Sequence, residues 1–170
     1  MTEKEFNTSI LPLTHDIFTF AVHLTGDRSG AADITQDVMY KLWEMRQELR
    51  KVQNPKAWAL KITRNLCLDI LKKQKPLYDE EQMYKNSGYD HDLLRSLEDK
   101  ETAALVKLII DTLPDNQREV VILREIEEME YNEIAEITGL GLNNIRVLLS
   151  RARTKIKEIL VKQYSISKYE

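Results

Sequence analysis

Apolar residues recur at Ile10, Leu13, Ile17, Ala21 and Leu24, the three- and four-residue spacing that lines one face of a helix. Thr8 or Ser9 can cap its start, and Gly26-Asp27 ends it. Asp27 or Ser29 can cap a second helix, with a stripe at Ile34, Val38, Leu42, Met45 and Leu49. After a turn at Val52 to Pro55, Asn54 reads as an N-cap with Pro55 in the first helical position, where a missing N–H costs nothing. A third helix runs from there to about Lys75. From Pro76 to about Glu98 the period is lost. It returns in a helix from Ala103 to Leu113, closed by Pro114, and in one capped by Asp115 with Val120, Val121, Leu123 and Ile126 inward. A short helix from about Asn132 to Thr138, a break at Gly139-Leu140-Gly141 and a last helix from Leu142 to about Val161 follow, with a frayed tail from Lys162. The expected fold is all-α. Two small helical domains, a three- or four-helix unit at 8–75 and a second unit at 99–162, flank a linker at 76–98.

Two short helices joined by a tight glycine-containing turn form the layout of a helix-turn-helix. Ile134, Ala135 and Ile137 face inward from the first, Gly139 gives the backbone freedom to leave it, and Leu140 plugs the angle. On the last helix Leu142, Ile145, Leu148, Leu149, Ala152, Ile156 and Ile159 share a core face. The opposite face carries Asn143, Val147, Ser150 and Thr154, flanked by Arg146 and Arg151. Asparagine and arginine offer bidentate pairing to adenine and guanine edges in a major groove, whereas Arg153, Lys155 and Lys157 suit phosphates.

Composition narrows the class. With 5 glycines and 4 prolines the chain is poor in the turns an all-β fold requires. Cys67 alone permits neither an internal disulfide nor a cysteine zinc cluster. No apolar run is long enough to span a bilayer, and the first six residues lack a signal-peptide layout, so a soluble cytoplasmic protein without membrane insertion is expected. His15, His23 and His91 lack ligand spacing, no nucleophile–base set is apparent, and Gly139-Leu140-Gly141 lacks the lysine of a phosphate loop. No enzyme activity, metal or cofactor is expected.

The net charge of −3 and pI of 5.7 argue against nucleic acid only when taken globally. Leu142 to Lys157 carries +5 with no acid, whereas Glu119 to Glu136 carries −6 and Asp79 to Glu101 carries −5. Lys56 to Lys75, on the third helix, carries +5. There Ala59, Leu60, Ile62, Leu66, Cys67 and Ile70 form a core arc, and Lys61, Arg64, Asn65 and Lys72 lie opposite with Trp58 at the edge. An aromatic beside a basic track is how proteins hold single-stranded DNA; core packing is the competing role for Trp58.

These residues fall into a family pattern. Gly26-Asp27, Ala32-Asp33-Ile34-Thr35-Gln36-Asp37-Val38, Leu42-Trp43-Glu44, Asn54-Pro55-Lys56-Ala57-Trp58 and Ile62-Thr63-Arg64-Asn65-Leu66-Cys67-Leu68-Asp69 resemble region two of bacterial RNA polymerase sigma factors. Leu113-Pro114, Tyr131-Asn132-Glu133-Ile134-Ala135, Gly139, Asn144-Ile145-Arg146 and Ser150-Arg151-Ala152-Arg153 resemble their region four. The short length of the chain, with only a linker between the two regions, points to the extracytoplasmic-function (ECF) group of the sigma-70 family. The resemblance implies that Asp33, Gln36, Asp37, Tyr40, Lys41, Trp43 and Glu44 dock core RNA polymerase. It implies that Arg50, Lys51 and Asn54 of the turn, with Trp58, Lys61, Arg64 and Asn65, open and hold the minus-ten promoter element. Asn143, Asn144, Arg146, Val147, Ser150, Arg151 and Arg153 would read the duplex minus-thirty-five element. An anti-sigma factor is a further expected partner.

The rival readings are a conventional helix-turn-helix regulator with a helical sensory N-terminal domain, and a helical adaptor that binds only protein. The second basic helix with Trp58 argues for the sigma factor, because a ligand-sensing domain does not need it. A relaxed 23-residue linker averages about 27 Å end to end, so the free protein is expected to be compact. The acidic linker or the glutamate-rich face of Glu125 to Glu136 is then expected to lie against the basic helices.

Overall fold

The structure, a computed structural model, describes residues 1–74 and 102–167; the expected linker lies outside them. The described residues form helices and no strand. Helix α1 (Glu3–Ser9) precedes the expected first helix. Its capping box is complete: the Glu5 N–H donates to Thr2 Oγ1 at 3.3 Å and the Thr2 N–H donates to Glu5 Oε2 at 2.7 Å. Thr8 and Ser9 are therefore not caps but the end of α1. Pro12 sits in a single 3₁₀ turn, Leu11–Leu13, so the helix expected from Ile10 starts only at Thr14.

Helix α2 (Thr14–Thr25) ends at Gly26, whose φ of 70° is the left-handed conformation glycine adopts without strain. Asp27 Oδ1 accepts the Ser29 N–H at 2.9 Å and starts α3 (Arg28–Glu44). The chain kinks at Met45 into α4 (Arg46–Leu49) and reaches α5 (Pro55–Gln74), where Asn54 Oδ1 accepts the Ala57 N–H at 3.1 Å, as an N-cap should. Ile10, Ile17, Ala21, Ile34, Val38, Leu42, Leu49, Ala59 and Cys67 meet in the core of this unit. Burial pushes the Cys67 thiol up to about 12, so it is an inert core residue.

The second unit comprises α6 (Thr102–Asp111), α7 (Asp115–Val121), a π-helical turn (Ile122–Ile126), α8 (Tyr131–Thr138) and α9 (Leu142–Ser167). Asp115 is not the cap of α7; Pro114 occupies that position, and Asp115 pairs with Arg118 at 2.8 Å within the first turn. Ile126, expected inward, is 40% exposed, because the wide turn carries it past the core. Leu142, expected on the core face, is 36% exposed at the very start of α9, beyond the reach of the packing below it. Helix α9 also continues to Ser167, into the segment expected to fray.

The largest departure concerns the two units together. Phe20 of α2 and Ala57 and Leu60 of α5 belong to the same apolar cluster as Val120, Ile122, Leu123, Ile134, Ile137 and Leu149. Helix α5 thus packs on two sides, against α2 and α3 through Ala59 and Cys67 and against α8 through Ala57 and Leu60.

Candidate nucleic-acid and polymerase interfaces

The helix-turn-helix is built as the pattern requires. Glu130 and Glu133 form a capping box on α8, and Gly139 leaves it with φ 75°. Leu140 is partly buried against the core between α8 and α9. Ile145, Leu148, Leu149 and Ala152 are buried beneath α9, which turns Asn143, Asn144, Arg146, Val147, Ser150, Arg151 and Arg153 outward, all exposed. Two of these arginines are already engaged. Arg146 donates to Asn143 Oδ1 at 3.2 Å, and its Cζ lies 5.6 Å from the centre of the Tyr131 ring. Arg153 donates through Nε and Nη2 to Glu125 Oε1.

On α3, Asp33, Gln36, Asp37, Tyr40, Lys41 and Glu44 form one exposed face, with Tyr40 at 63%. The Glu44 carboxylate beside Tyr40 raises the pKa of its hydroxyl. Trp43 stands apart from this set. It is half-buried, its ring edge-on to Phe6 at 5.0 Å with the Arg46 guanidinium 4.5 Å above it, so α1 covers much of what the sequence placed outside.

The turn before α5 leaves Arg50 and Lys51 exposed, and Lys61 and Asn65 are exposed on α5 itself. Trp58 is half-buried. It packs on the N-terminal core and also lines a cleft of about 830 Å³ with Gln53, Asn54 and Lys61 on one wall and Asn132, Glu133 and Glu136 on the other. Asn54, Lys56 and Arg64 are instead held by carboxylates of the second unit. Asn54 Nδ2 donates to Glu133 Oε1, whose Oε2 completes the capping box of α8 at 2.7 Å from the Glu130 N–H. Arg64 donates to both oxygens of Glu119. Lys56 Nζ lies 2.8 Å from Glu127 Oε2 and 3.1 Å from Asp16 Oδ2. Glu127 is only 3% exposed; burial pushes its carboxyl above the usual range, and Lys56 draws it partway back. Burial works to lower Lys56, but Glu127 and Asp16 outweigh it and hold its pKa above the ordinary lysine value. Glu127 and Glu133 of the expected glutamate face therefore do lie against the third helix, and Glu119, outside that face, joins them; the acidic linker lies outside the described residues.

Among the described residues no His, Cys, Asp and Glu are grouped to hold a metal, and no helix is long and apolar enough to cross a membrane. His23 instead binds Asp111 through Nδ1 at 2.6 Å. His91 lies outside the described residues.

Two family models match in chain order: Sigma-70 region 2 over residues 12–76 and Sigma-70, region 4 over residues 103–156. The chain belongs to the sigma-70 family. Its relatives place this sigma factor in the ECF group. It is 28% identical over 158 residues to the RNA polymerase sigma factor SigV of Bacillus subtilis, covering 92% of this chain and 91% of that one. It is 27% identical over 157 residues to the ECF RNA polymerase sigma factor SigE of Mycolicibacterium smegmatis, covering 88% of this chain but 59% of the longer relative. The fold matches the sigma factor RpoE of Bartonella quintana, solved in complex with the anti-sigma factor NepR. The TM-score is 0.70 at 24% identity, over 92% of this chain and 97% of that one.

The region 2 match contains α2, α3 and α5, and the region 4 match contains the helix-turn-helix. Sequence reasoning missed Glu119, which lies outside the expected glutamate face, and Tyr131 beneath Arg146. A glutamate inside a −6 stretch reads as solvated, and only the return of apolar neighbours at Val120 to Leu123 hints that Glu119 is drawn inward.

Proposed function

We propose that this sigma factor binds core RNA polymerase through the α3 face of Asp33, Gln36, Asp37, Tyr40, Lys41 and Glu44 and directs it to promoters, the phosphodiester chemistry remaining the polymerase's own. The turn carrying Arg50, Lys51 and Asn54, with Trp58, Lys61, Arg64 and Asn65 of α5, takes the melted minus-ten strand. The outward face of α9 reads the duplex minus-thirty-five element. The observation that carries this reading is the acid-free Asn–Arg face of α9 on the same chain as a second basic helix headed by Trp58. A regulator with a sensory domain has no use for the latter.

The arrangement described here is the resting form of the free protein. Asn54, Lys56 and Arg64 are bound to the second unit, so only part of the minus-ten surface is open, and polymerase releases the rest by drawing the units apart. An anti-sigma factor is a natural partner for such a form, as the Bartonella neighbour was solved with one.

Run-off transcription with core polymerase, followed by mapping of the start sites, tests the reading. The expected result is a set of starts that appear only with this protein and share two elements upstream. Transcription without it, or specific regulation of another sigma factor's promoters, would favour the conventional regulator.

A further inference from the structure

Tyr131 lies outside the recognition helix yet touches its side chains. It is the first residue of α8, and its ring is partly buried against the C-terminal core, which fixes its plane. The Arg124 Cζ lies 4.9 Å from the ring centre and the Arg146 Cζ 5.6 Å. Arg124 is tied down separately: its Nη1 donates to the Met129 carbonyl at 2.8 Å and lies 3.4 Å from Glu130 Oε2. Arg146 has no such anchor beyond Asn143, itself exposed on α9.

An arginine reads guanine only when its planar fork meets both acceptors at once. A free arginine on an exposed helix samples many rotamers, and some of them reach phosphates instead. A rigid aromatic plane under the guanidinium selects those rotamers that keep the fork flat against the turn of the helix-turn-helix.

We infer that Tyr131 is a positioning residue for promoter recognition: it presets Arg146 and thereby sharpens discrimination at the base pair that Arg146 reads. The inference rests on the proposed reading of α9. Its effect is carried by the ring, so phenylalanine preserves it and leucine, which fills the same apolar recess without a π face, does not.

The test uses the full-length protein with core polymerase and the minus-thirty-five element selected by the wild-type holoenzyme, varied one base pair at a time. Tyr131→Leu should lower discrimination by about two- to fivefold at one or two positions. Tyr131→Phe should keep it. In an Arg146→Ala background, Tyr131→Leu should change nothing further at those positions, a result that simple loss of packing would not produce. Unchanged base preference in Tyr131→Leu, while Arg146→Ala has lost it, overturns the role of Tyr131 and leaves the reading of α9 standing. A uniform loss across all bases with a lowered melting temperature overturns it as well, because the role is then structural. Base preference unaffected by Arg146→Ala would remove both the reading of α9 and the inference built on it.

Discussion

Glu119→Gln is the smallest change that should open the free protein. The Glu119 and Arg64 side chains are 10% and 18% exposed, and both carboxylate oxygens are used. Glutamine keeps the shape but removes the charge and turns an N–H donor toward the guanidinium. Breaking one side of a buried pair costs about 3–5 kcal/mol, because the remaining charge keeps its desolvation without its partner. Arg64 retains some solvent, which favours the lower end. Separation of the units rehydrates Arg64, so the cost falls on the closed form alone. About 3 kcal/mol raises the ratio of open to closed protein about a hundredfold, at about 1.4 kcal/mol per tenfold. Energy transfer between dyes on Glu48→Cys and Lys157→Cys reads the separation, both sites being exposed. The native Cys67 is buried with its thiol pushed up to about 12, so labelling goes to the introduced cysteines. Transfer should fall in Glu119→Gln, and affinity for a single-stranded minus-ten oligonucleotide should rise with it. Pairing Glu119→Gln with Arg64→Gln should recover part of the closed population, because the stranded charge is gone. Unchanged transfer in Glu119→Gln at an unchanged melting temperature would refute the idea that this pair holds the units together.

The other predictions concern separate faces. Asp37→Arg should abolish co-purification with core polymerase at nearly constant helicity and melting temperature; a collapse in stability would mean that the face is buried in this protein. Glu125→Gln frees Arg153 for a phosphate, so it should steepen the salt dependence of promoter binding by about one unit of log–log slope, and adding Arg153→Ala should reverse that gain, both without altering base preference. Burial raises the Glu127 pKa, so the closed fold binds this proton more tightly than the unfolded chain does. This group's contribution to stability therefore rises as pH falls into the range just above the ordinary carboxylate value and is lost at higher pH. Thermal melts at about pH 5 and about pH 7 should differ by less in Glu127→Gln than in the wild type.

Much of the fold was legible because its signals are local. Asn54-Pro55, Asp27 and Gly26 act within a few residues of themselves, and the caps and helix end they imply are present. The capping box of Thr2 and Glu5 is equally local, yet it was hidden because the apolar period at Ile10 drew the start of the helix past it. Pro12 marked the division that the period ignored. The outward face of α9 was legible for the same reason as the caps, since a single long helix with one buried side sorts its residues by angle alone. Trp43 and Ile126 were not, because each depends on an element that no periodicity locates: the short helix α1 laid over one, the wide turn beneath the other.

Helix α5 explains why the closed arrangement escaped the wheel. A helical wheel assigns each residue to one core or to water, and α5 has two cores. Its apolar arc runs from Ile62 and Leu66 past Ala59 and Cys67 to Leu60 and Ala57, about 220° of the circumference at about 100° per residue, which is more than one neighbour fills. Arg64 falls between Leu60 and Ala57 on that second stripe, so the groups that meet Ala57 and Leu60 also bring Glu119 against it, while Lys61 and Asn65, further round, stay in water. An arc this wide on a basic helix is thus itself a sequence signal for a docked acidic partner. Its apolar edge separates the cations that the second unit covers, Lys56 and Arg64, from Lys61, which is left in water.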